Sequence, residues 1–552
     1  MKIIKKNDNL IITLNYDPIL IETIKQFNTR KYNSKTKEWI VPAVHVKQVL
    51  DTLLPLGFIA DENTQQEYRD NDKHKRKINR ILAGEFKEIE KKVLKDTKLP
   101  LYEYQKIGTG FLCANGSSLL GDECGLGKTI QTLATILIKE SKKNLIICPS
   151  TVKRQWAEEI EKWTESKKII VIQGTKIKRD AQWKKHNSYY IMNFEQLRVD
   201  ISEIKKIEWD TIVVDEATRI SNSKTAQSKL VKTIKAKHRI ALTGTPLNNS
   251  VNDLWNILDF CRPNILGTYW QFCEKYCIKD RFGSITGYKN MSKLKEVIQH
   301  IMIRRLKSDV LKELPDKTYE NIYIEFTKDE EKIYKAVKED IFNELKEYEI
   351  NRVLEDGGNS NILTKMIRLK QVTDSLELVS EKQESSKTKA LKELLSDIIH
   401  SGAKAIVFTQ FAEMAKILMR ELTEYNPLLI AGEVENKVRK ANIDLFQGNE
   451  ENKILISTEA GGMGVNLQRA QYVIHFDNPW SIAKKEQREG RIDRIGQKNK
   501  ITIFNLIVSN TIDEYVLKTL YKKQKLSEDM LGDKEKMRKV KISKKDIQNI
   551  LS

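Results

Sequence analysis

Short apolar runs followed by amphipathic stretches dominate the chain from about residue 99 onward. The segments NLIICP (144–149), KIIVIQ (168–173), SYYIMN (188–193), TIVVDE (211–216) and RIALTGT (239–245) are continuous and rich in β-branched residues. Runs of that kind between helical stretches predict the buried strands of a parallel sheet covered on both faces. Residues 250 to 385 read as mainly helical. The strand rhythm then returns in AKAIVFTQF (403–411), KILIST (453–458), YVIHFD (472–477) and ITIFNLIV (501–508). Two α/β lobes with a helical region between them are expected.

Ahead of the lobes, LIITLN (10–15) alternates as a strand and runs into Asp17-Pro18. PILIETIKQF then carries Ile19, Ile21, Ile24 and Phe27 at helical spacing. RKYNSKTKEWIVP predicts a turn at Asn33-Ser34 and a strand through Trp39 and Val41, and VHVKQVLDTLL a second amphipathic helix. This reads as a small β-α-β-α unit over 1–62. Residues 63–98 are dense in charge and predict a helical linker without a core. The further divisions are a first lobe with a helical insertion (99–320), a helical connector (321–385), a second lobe (386–515) and a basic helical tail (516–552).

A chain of 552 residues is too long for one hydrophobic core, and its 40% hydrophobic content suits a folded protein. It has no apolar run of about 18 residues, so no membrane span is expected. The opening Met1-Lys-Ile-Ile-Lys-Lys lacks the form of a secretory signal. The expected location is the cytoplasm, at the nucleoid, for a prokaryotic or viral source, and the nucleus for a eukaryotic one. The six cysteines show no C-x-x-C spacing, which disfavours a zinc ribbon or disulfide framework. Cys273 and Cys277 are four apart and could share a helix face, though buried reduced thiols are the simpler reading. Lys and Arg outnumber Asp and Glu by 96 to 76, a formal charge of +20. A polyanionic partner, nucleic acid above all, is the natural inference.

Three segments carry candidate chemistry. GDECGLGKT (121–129) resembles a phosphate-binding loop, except that Asp122 stands where the usual pattern has its first glycine. Backbone N–H groups around Gly125 and Gly127 would surround phosphate oxygens. Lys128 would lie against the β- and γ-phosphates, and Thr129 would ligate Mg²⁺. TIVVDEAT ends a predicted strand on Asp215-Glu216: Asp215 to hold Mg²⁺, Glu216 to orient and deprotonate a water. In QREGRIDRIGQ (487–497), Arg491 and Arg494 are three apart and are expected on one helical face. Facing a γ-phosphate, they would stabilise transition-state charge. A plain basic helix, paired internally to Glu489 and Asp493, is the alternative.

Together these segments resemble the SNF2-type ATPases of helicase superfamily 2, in order, from about residue 99 to 535. YEYQ (102–105) looks like the adenine-reading block with Gln105 as its key residue. GDECGLGKT is similar to the family's Asp-Glu-Met-Gly-Leu-Gly-Lys-Thr, with Cys124 for Met. IICPSTVKRQW, VVDEAT, ALTGTPLNNSVNDLWNILDF, IMIRRLKSDVLKELPDK, IVFTQF, STEAGGMGVNLQRA and FDNPWSIAKKEQREGRIDRIGQ follow in the family's order. Thr218 stands where relatives often carry His, which puts the coupling of nucleotide to lobe interface in doubt but leaves Glu216 intact.

The resemblance implies two RecA-like lobes, with helical SNF2-type insertions and a small α+β N-terminal domain. It implies ATP and Mg²⁺ as cofactors, with Lys128, Thr129, Asp215 and Glu216 from one lobe and Gln487, Arg491 and Arg494 from the other. Gly464 and Asn466 fall in the block that relays nucleotide state to DNA. Thr151, Thr409, Gln410 and Thr458 fall in the DNA-contacting blocks. The first 50 or so residues are similar to the HARP domain of annealing helicases through Arg30, Tyr32, Trp39 and Pro42. Arg30, Lys31, Lys35 and Lys37 could meet phosphates. Tyr32 and Trp39 could stack on bases, or Trp39 could pack the small core instead. The expected function is a monomeric, DNA-dependent ATPase that translocates on double-stranded DNA, acting on forked or branched structures. Two other uses stay open: displacing proteins such as stalled polymerase, or serving a phage or defence nuclease. An ATP-gated DNA clamp without motor activity is the alternative of a different class.

Overall fold

The computed structural model describes residues 1–27, 29–85, 101–164, 166–246, 251–281, 283–311, 317–351, 359–379, 385–448, 450–459, 467–494, 497, 499–531 and 537–538. Gly464, Asn466 and most of the tail from 516 lie outside them or lack described side chains. The chain divides into two compact units, Met1–Val310 with Glu528–Lys539, and Leu311–Ser527 with Val540–Ser552. Among the described residues no helix is long and apolar enough to cross a membrane.

The N-terminal sheet holds Lys2–Lys6 (β1), Asn9–Thr13 (β2), Lys31–Asn33 (β3), Glu38–Pro42 (β4) and Ile59–Ala60 (β5), ordered β3-β4-β2-β1-β5. β1 escapes the pattern because lysines flank its Ile3-Ile4 pair; it pairs antiparallel with β2 through a turn at Asn7, whose φ is 52°. Between β2 and β3, Asp17 caps the helix Pro18–Lys25 by accepting from Ile19 N and Leu20 N, with Pro18 at the first helical position. Ile3, Leu10, Ile12, Ile24, Phe27, Val41, Val49 and Leu53 close this small core.

The charged stretch after it is not a coreless linker. It forms the helix Glu62–Leu82, capped by Asp61 on Thr64 N. Tyr68 packs on the N-terminal core. Ile78 and Ile81, both buried, join the core of the following lobe with Phe111, Leu120, Ile146 and Val213. Each such isoleucine contributes about 1.5–3 kcal/mol by leaving water. One apolar pair at its far end therefore docks a helix that is otherwise nearly all polar.

The first lobe is a parallel sheet of Ser118–Leu120 (β6), Asn144–Cys148 (β7), Ile169–Val171 (β8), Tyr189–Asn193 (β9), Trp209–Val214 (β10) and Ala236–Leu242 (β11). After a hairpin of Cys277–Lys279 (β12) and Ile285–Tyr288 (β13), Met302–Ile303 (β14) returns to its edge. The order is β14-β6-β11-β10-β7-β9-β8. Buried on both faces, the strands carry continuous apolar runs, as expected of parallel sheets.

In the second unit Lys317–Ile324 (β15), Ala405–Thr409 (β16), Leu428–Ile430 (β17), Ile454–Thr458 (β18), Tyr472–His475 (β19) and Ile501–Val508 (β20) form a parallel sheet ordered β15-β20-β19-β16-β18-β17. Its two faces carry separate cores, one around Leu391, Leu395, Val407 and Ile474, the other around Phe408, Leu467, Val473 and Ile492. β15 lies in the stretch expected to be helical. It is an edge strand whose residues 318–321, TYEN, are exposed, so it lacks the apolar run that marks its partners. The expected junction at 320/321 falls inside it, and the compact units divide at Val310 and Leu311 instead.

Candidate nucleotide site

The strands order the chemistry. β6 and β10 flank β11, and their carboxyl ends deliver the loop 121–127 and the pair Asp215-Glu216 to the same edge of the sheet. Gly125 and Gly127 take φ of 92° and 74°, conformations open to glycine at no steric cost. The helix Lys128–Ile138 starts directly after Gly127, so its first N–H groups face the loop, the arrangement that suits an anion. A Cβ on Gly127 would run into the Gln105 amide, and one on Gly244, just past β11, would overlap Cys124 Sγ.

Lys128 Nζ donates to the carbonyls of Asp122 at 2.8 Å and Glu123 at 3.3 Å. The ammonium is thus held on the loop. Among the described residues, no hydrogen bond engages the Thr129 hydroxyl. Asp215 is fixed from two sides: Trp156 Nε1 donates to its Oδ2 at 2.9 Å and Glu216 N to its Oδ1 at 2.9 Å. Burial raises the Asp215 pKa, while the Trp156 bond and the Lys128 charge oppose that rise. A divalent cation would offset the burial cost in the same way, so the donor set of Thr129 and Asp215 fits Mg²⁺. Glu216 sits at φ 51°, in the left-handed region that a glutamate enters at a cost of about 1 kcal/mol or more. That strain turns the chain sharply where the strand delivers its acids.

Asp122, the residue that breaks the usual loop pattern, is fully buried. It accepts from Arg305 Nε at 2.9 Å and from Arg305 Nη2, and also from Gln131 Nε2 at 3.1 Å. Arg305 lies 183 positions away, just beyond β14. Gln105, also buried, donates to Leu126 O at 3.3 Å and accepts from Tyr102 N at 3.1 Å. The sequence singled out Gln105, the loop and Asp215 as candidates, but not Asp122, Gln131 and Arg305, which brace the loop, nor Trp156, which braces Asp215. The only available signal was that an acid replaced a glycine in a loop otherwise intact.

In the second unit the structure corrects the arginine segment. The helix Ile482–Glu489 ends at Gly490. Gln487 is on that helix, but Arg491 and Arg494 lie past its end in successive turns and do not share a helical face. Arg491 Nε donates to Gln487 O at 3.2 Å and Arg494 Nε to Gly490 O at 2.9 Å. The two acids have partners outside the segment. Glu489 accepts from Tyr319 Oη at 2.8 Å, and Asp493 pairs with Lys317, both residues of β15. The arginine that sequence reading passed over, Arg488, is buried and donates to Asp477 O at 2.8 Å.

The candidate DNA residues are scattered over both units. Thr151 lies just past β7, and its hydroxyl is buried without a partner among the described residues. Thr409 ends β16 and gives its hydroxyl to Asp477 Oδ2 at 2.6 Å. Gln410 donates to the same carboxylate from its backbone at 2.8 Å and its side chain at 2.9 Å. Thr458 is buried at the end of β18. Arg30 Nη1 donates to Phe27 O at 3.2 Å, whereas Lys31 and Lys37 are exposed, Lys37 with φ 53° in the β3–β4 turn. Tyr32 is half exposed and meets Trp39 across the strands with ring centroids 4.9 Å apart, while Trp39 packs on the small core. All six cysteines are outside disulfides, and among the described residues no group of three or more His, Cys, Asp or Glu could hold a metal.

Residues 32–378 match the model of the SNF2-related domain. The chain belongs to the SNF2 family of helicase superfamily 2, a class of ATP-hydrolysing enzymes. Residues 386–496 match the helicase conserved C-terminal domain. An uncharacterized ATP-dependent helicase of Mycoplasma genitalium is 32% identical over 441 residues, covering 77% of this chain and 42% of that protein. The DNA repair and recombination protein RAD26 of Saccharomyces cerevisiae is 28% identical over 527 residues, covering 80% of this chain and 48% of that protein. The chain thus spans less than half the length of these two relatives. Among solved structures, the Sulfolobus solfataricus SWI2/SNF2 ATPase core in complex with dsDNA is 32% identical, covers 79% of this chain and 94% of that one, and superposes with a TM-score of 0.39.

Proposed function

We propose that this SNF2 chain is a DNA-dependent ATPase that moves along double-stranded DNA and acts on forked or branched structures. The observation that carries the ATPase is the placement of Lys128, Thr129, Asp215 and Glu216 at the carboxyl ends of β6 and β10. Gln105 would read the adenine edge and Lys128 the phosphates. Thr129 and Asp215 would hold Mg²⁺, which when bound supplies charge neutralisation to the phosphate oxygens. Glu216 would orient the attacking water and accept its proton. Arg491 and Arg494 would add positive charge to the transferring phosphoryl group. Gly464 and Asn466 keep their proposed part in relaying nucleotide state, and Thr151, Thr409, Gln410 and Thr458 in meeting the backbone of DNA.

The preference for forks rests on the N-terminal sheet, which we read as HARP-like. Tyr32 offers an aromatic face beside Lys31 and Lys37, the combination that holds an unpaired base and its phosphates. The helix Glu62–Leu82 ties that sheet to the first lobe. Thr29 N also donates to Gln271 Oε1 at 2.9 Å, and His45 meets Asn264 O at 3.2 Å. The test compares ATPase stimulation by forked DNA, plain duplex and single strand in the parent chain and in Tyr32→Ala with Lys31→Glu. Fork stimulation should fall several-fold while duplex stimulation holds. Equal stimulation by all three DNAs in both proteins defeats the fork reading. Turnover indifferent to any DNA favours the clamp.

A further inference from the structure

Resting on the nucleotide reading above, we propose that Arg305 is a positioning residue that sets base specificity by holding Gln105 and the phosphate loop in one frame. Arg305 reaches three elements at once. Nε and Nη2 grip the Asp122 carboxylate, Nη2 also donates to Gln131 Oε1 at 2.8 Å, and Nη1 donates to the carbonyl of Tyr104, the neighbour of Gln105. Its backbone N–H donates to Asp122 Oδ1 at 3.2 Å.

Gln131 closes the ring. Its Nε2 donates to Asp122 Oδ2 at 3.1 Å and Leu126 O at 3.2 Å, and Leu126 O is also the acceptor for Gln105 Nε2 at 3.3 Å. The base reader and the turn that cradles phosphate thus share one carbonyl, and the helix bearing the reader is pinned by the same guanidinium that pins the loop. Gly108 gives independent support. A Cβ there would overlap Gln131 Oε1 and crowd Arg305 Nη2. The helix Glu103–Asn115 therefore carries a glycine in mid-helix, at a cost in stability, where the guanidinium and amide must approach it.

The segment 301–305 is itself zipped to the loop. Leu119 N, Gly121 N and Glu123 N donate to the carbonyls of Ile301, Ile303 and Arg305 at 2.9, 2.8 and 3.0 Å. Backbone pairing alone would hold this edge strand in place. The planar fork of arginine adds what a point charge cannot, simultaneous fixed directions to a carboxylate, an amide and a carbonyl.

The test is equilibrium binding of fluorescent ADP and GDP, without DNA or turnover, to the parent chain, Gln105→Ala and Arg305→Lys, with thermal midpoints alongside. Gln105→Ala should bring the ADP preference close to one. Arg305→Lys should weaken ADP by about tenfold and erode the preference in the same way, because Gln105 is still present but displaced. Gln131→Met, which leaves the Arg305–Asp122 pair intact, should show a smaller erosion and serves if Arg305→Lys does not fold. A lowered midpoint with an unchanged ADP to GDP ratio in both Arg305→Lys and Gln131→Met overturns the proposal and leaves Arg305 a structural residue. If Gln105→Ala keeps the preference, base reading by Gln105 falls and this inference with it. Retained nucleotide binding would still leave the ATPase reading in place.

Discussion

Each unit holds a buried aspartate at the centre of a hydrogen-bond network, Asp122 in the first and Asp477 in the second, and the two networks differ in what they join. Asp122 gathers Arg305 and Gln131 around the loop 121–127, where Lys128 Nζ donates to the Asp122 carbonyl. Asp477 gathers Thr409, both nitrogens of Gln410 and the Arg488 guanidinium at 3.6 Å, with Lys370 at 3.8 Å. These charges hold the Asp477 carboxyl down to about 2 despite its burial. Beside it, Lys387 is buried between Asp374 at 2.9 Å and Asp513 at 2.7 Å, which keep it charged. The first ties the loop 121–127 to the chain just past β14 and to two helices; the second draws residues of β16, of the turns past β16 and β19, and of two helices around one carboxylate. Removing one partner from a buried cluster of charges is costly, because the charge left behind stays out of water.

Substitutions should separate the two. Glu216→Gln, in the first unit, should cut DNA-stimulated ATP turnover by about a thousandfold, with the urea midpoint within error of the parent. Asp477→Ala, in the second, should cost about 3–5 kcal/mol in urea unfolding because it strands Arg488 and Lys370 without their counter-charge. A mild stability loss there would dissolve the contrast.

Each unit also buries a histidine, His45 in the first and His475 in the second, and burial lowers each pKa from 6.5 to about 4. Between pH 6.5 and 4 the unfolded chain binds protons that the folded chain does not. Stability therefore falls with falling pH by up to about 3 kcal/mol per imidazole. Calorimetry at about pH 7 and about pH 4 should show the loss, and His475→Gln should flatten the second unit's share. Trp156→Phe removes one bond to Asp215 and should lower turnover about tenfold, near 1.4 kcal/mol, measured at saturating nucleotide. The smallest stability change is expected for Tyr32→Ala, within about 0.5 kcal/mol by the same urea assay, since its ring is half exposed.

The strands that carry a continuous apolar run, as in NLIIC and ILIST, were legible from sequence. Four others were not: lysines flank the Ile pair of β1, β14 and β17 span two and three residues, and β15 shows TYEN to solvent. Lys128, Asp215 and Glu216 could be read from local spacing. The Asp122–Arg305 pair that braces the loop could not, because the two residues meet only through the pairing of β6 with β14. The helical reading of Arg491 and Arg494 failed on one residue, Gly490, where the helix stops. Charge density misled over Glu62–Leu82, where two isoleucines outweigh a polar majority.

That helix has a thermodynamic consequence. Its near end packs on the N-terminal core through Tyr68 and its far end on the first lobe through Ile78 and Ile81, so melting the helix exposes apolar side chains at both. Heat or denaturant should therefore melt the N-terminal sheet and the first lobe in a single transition.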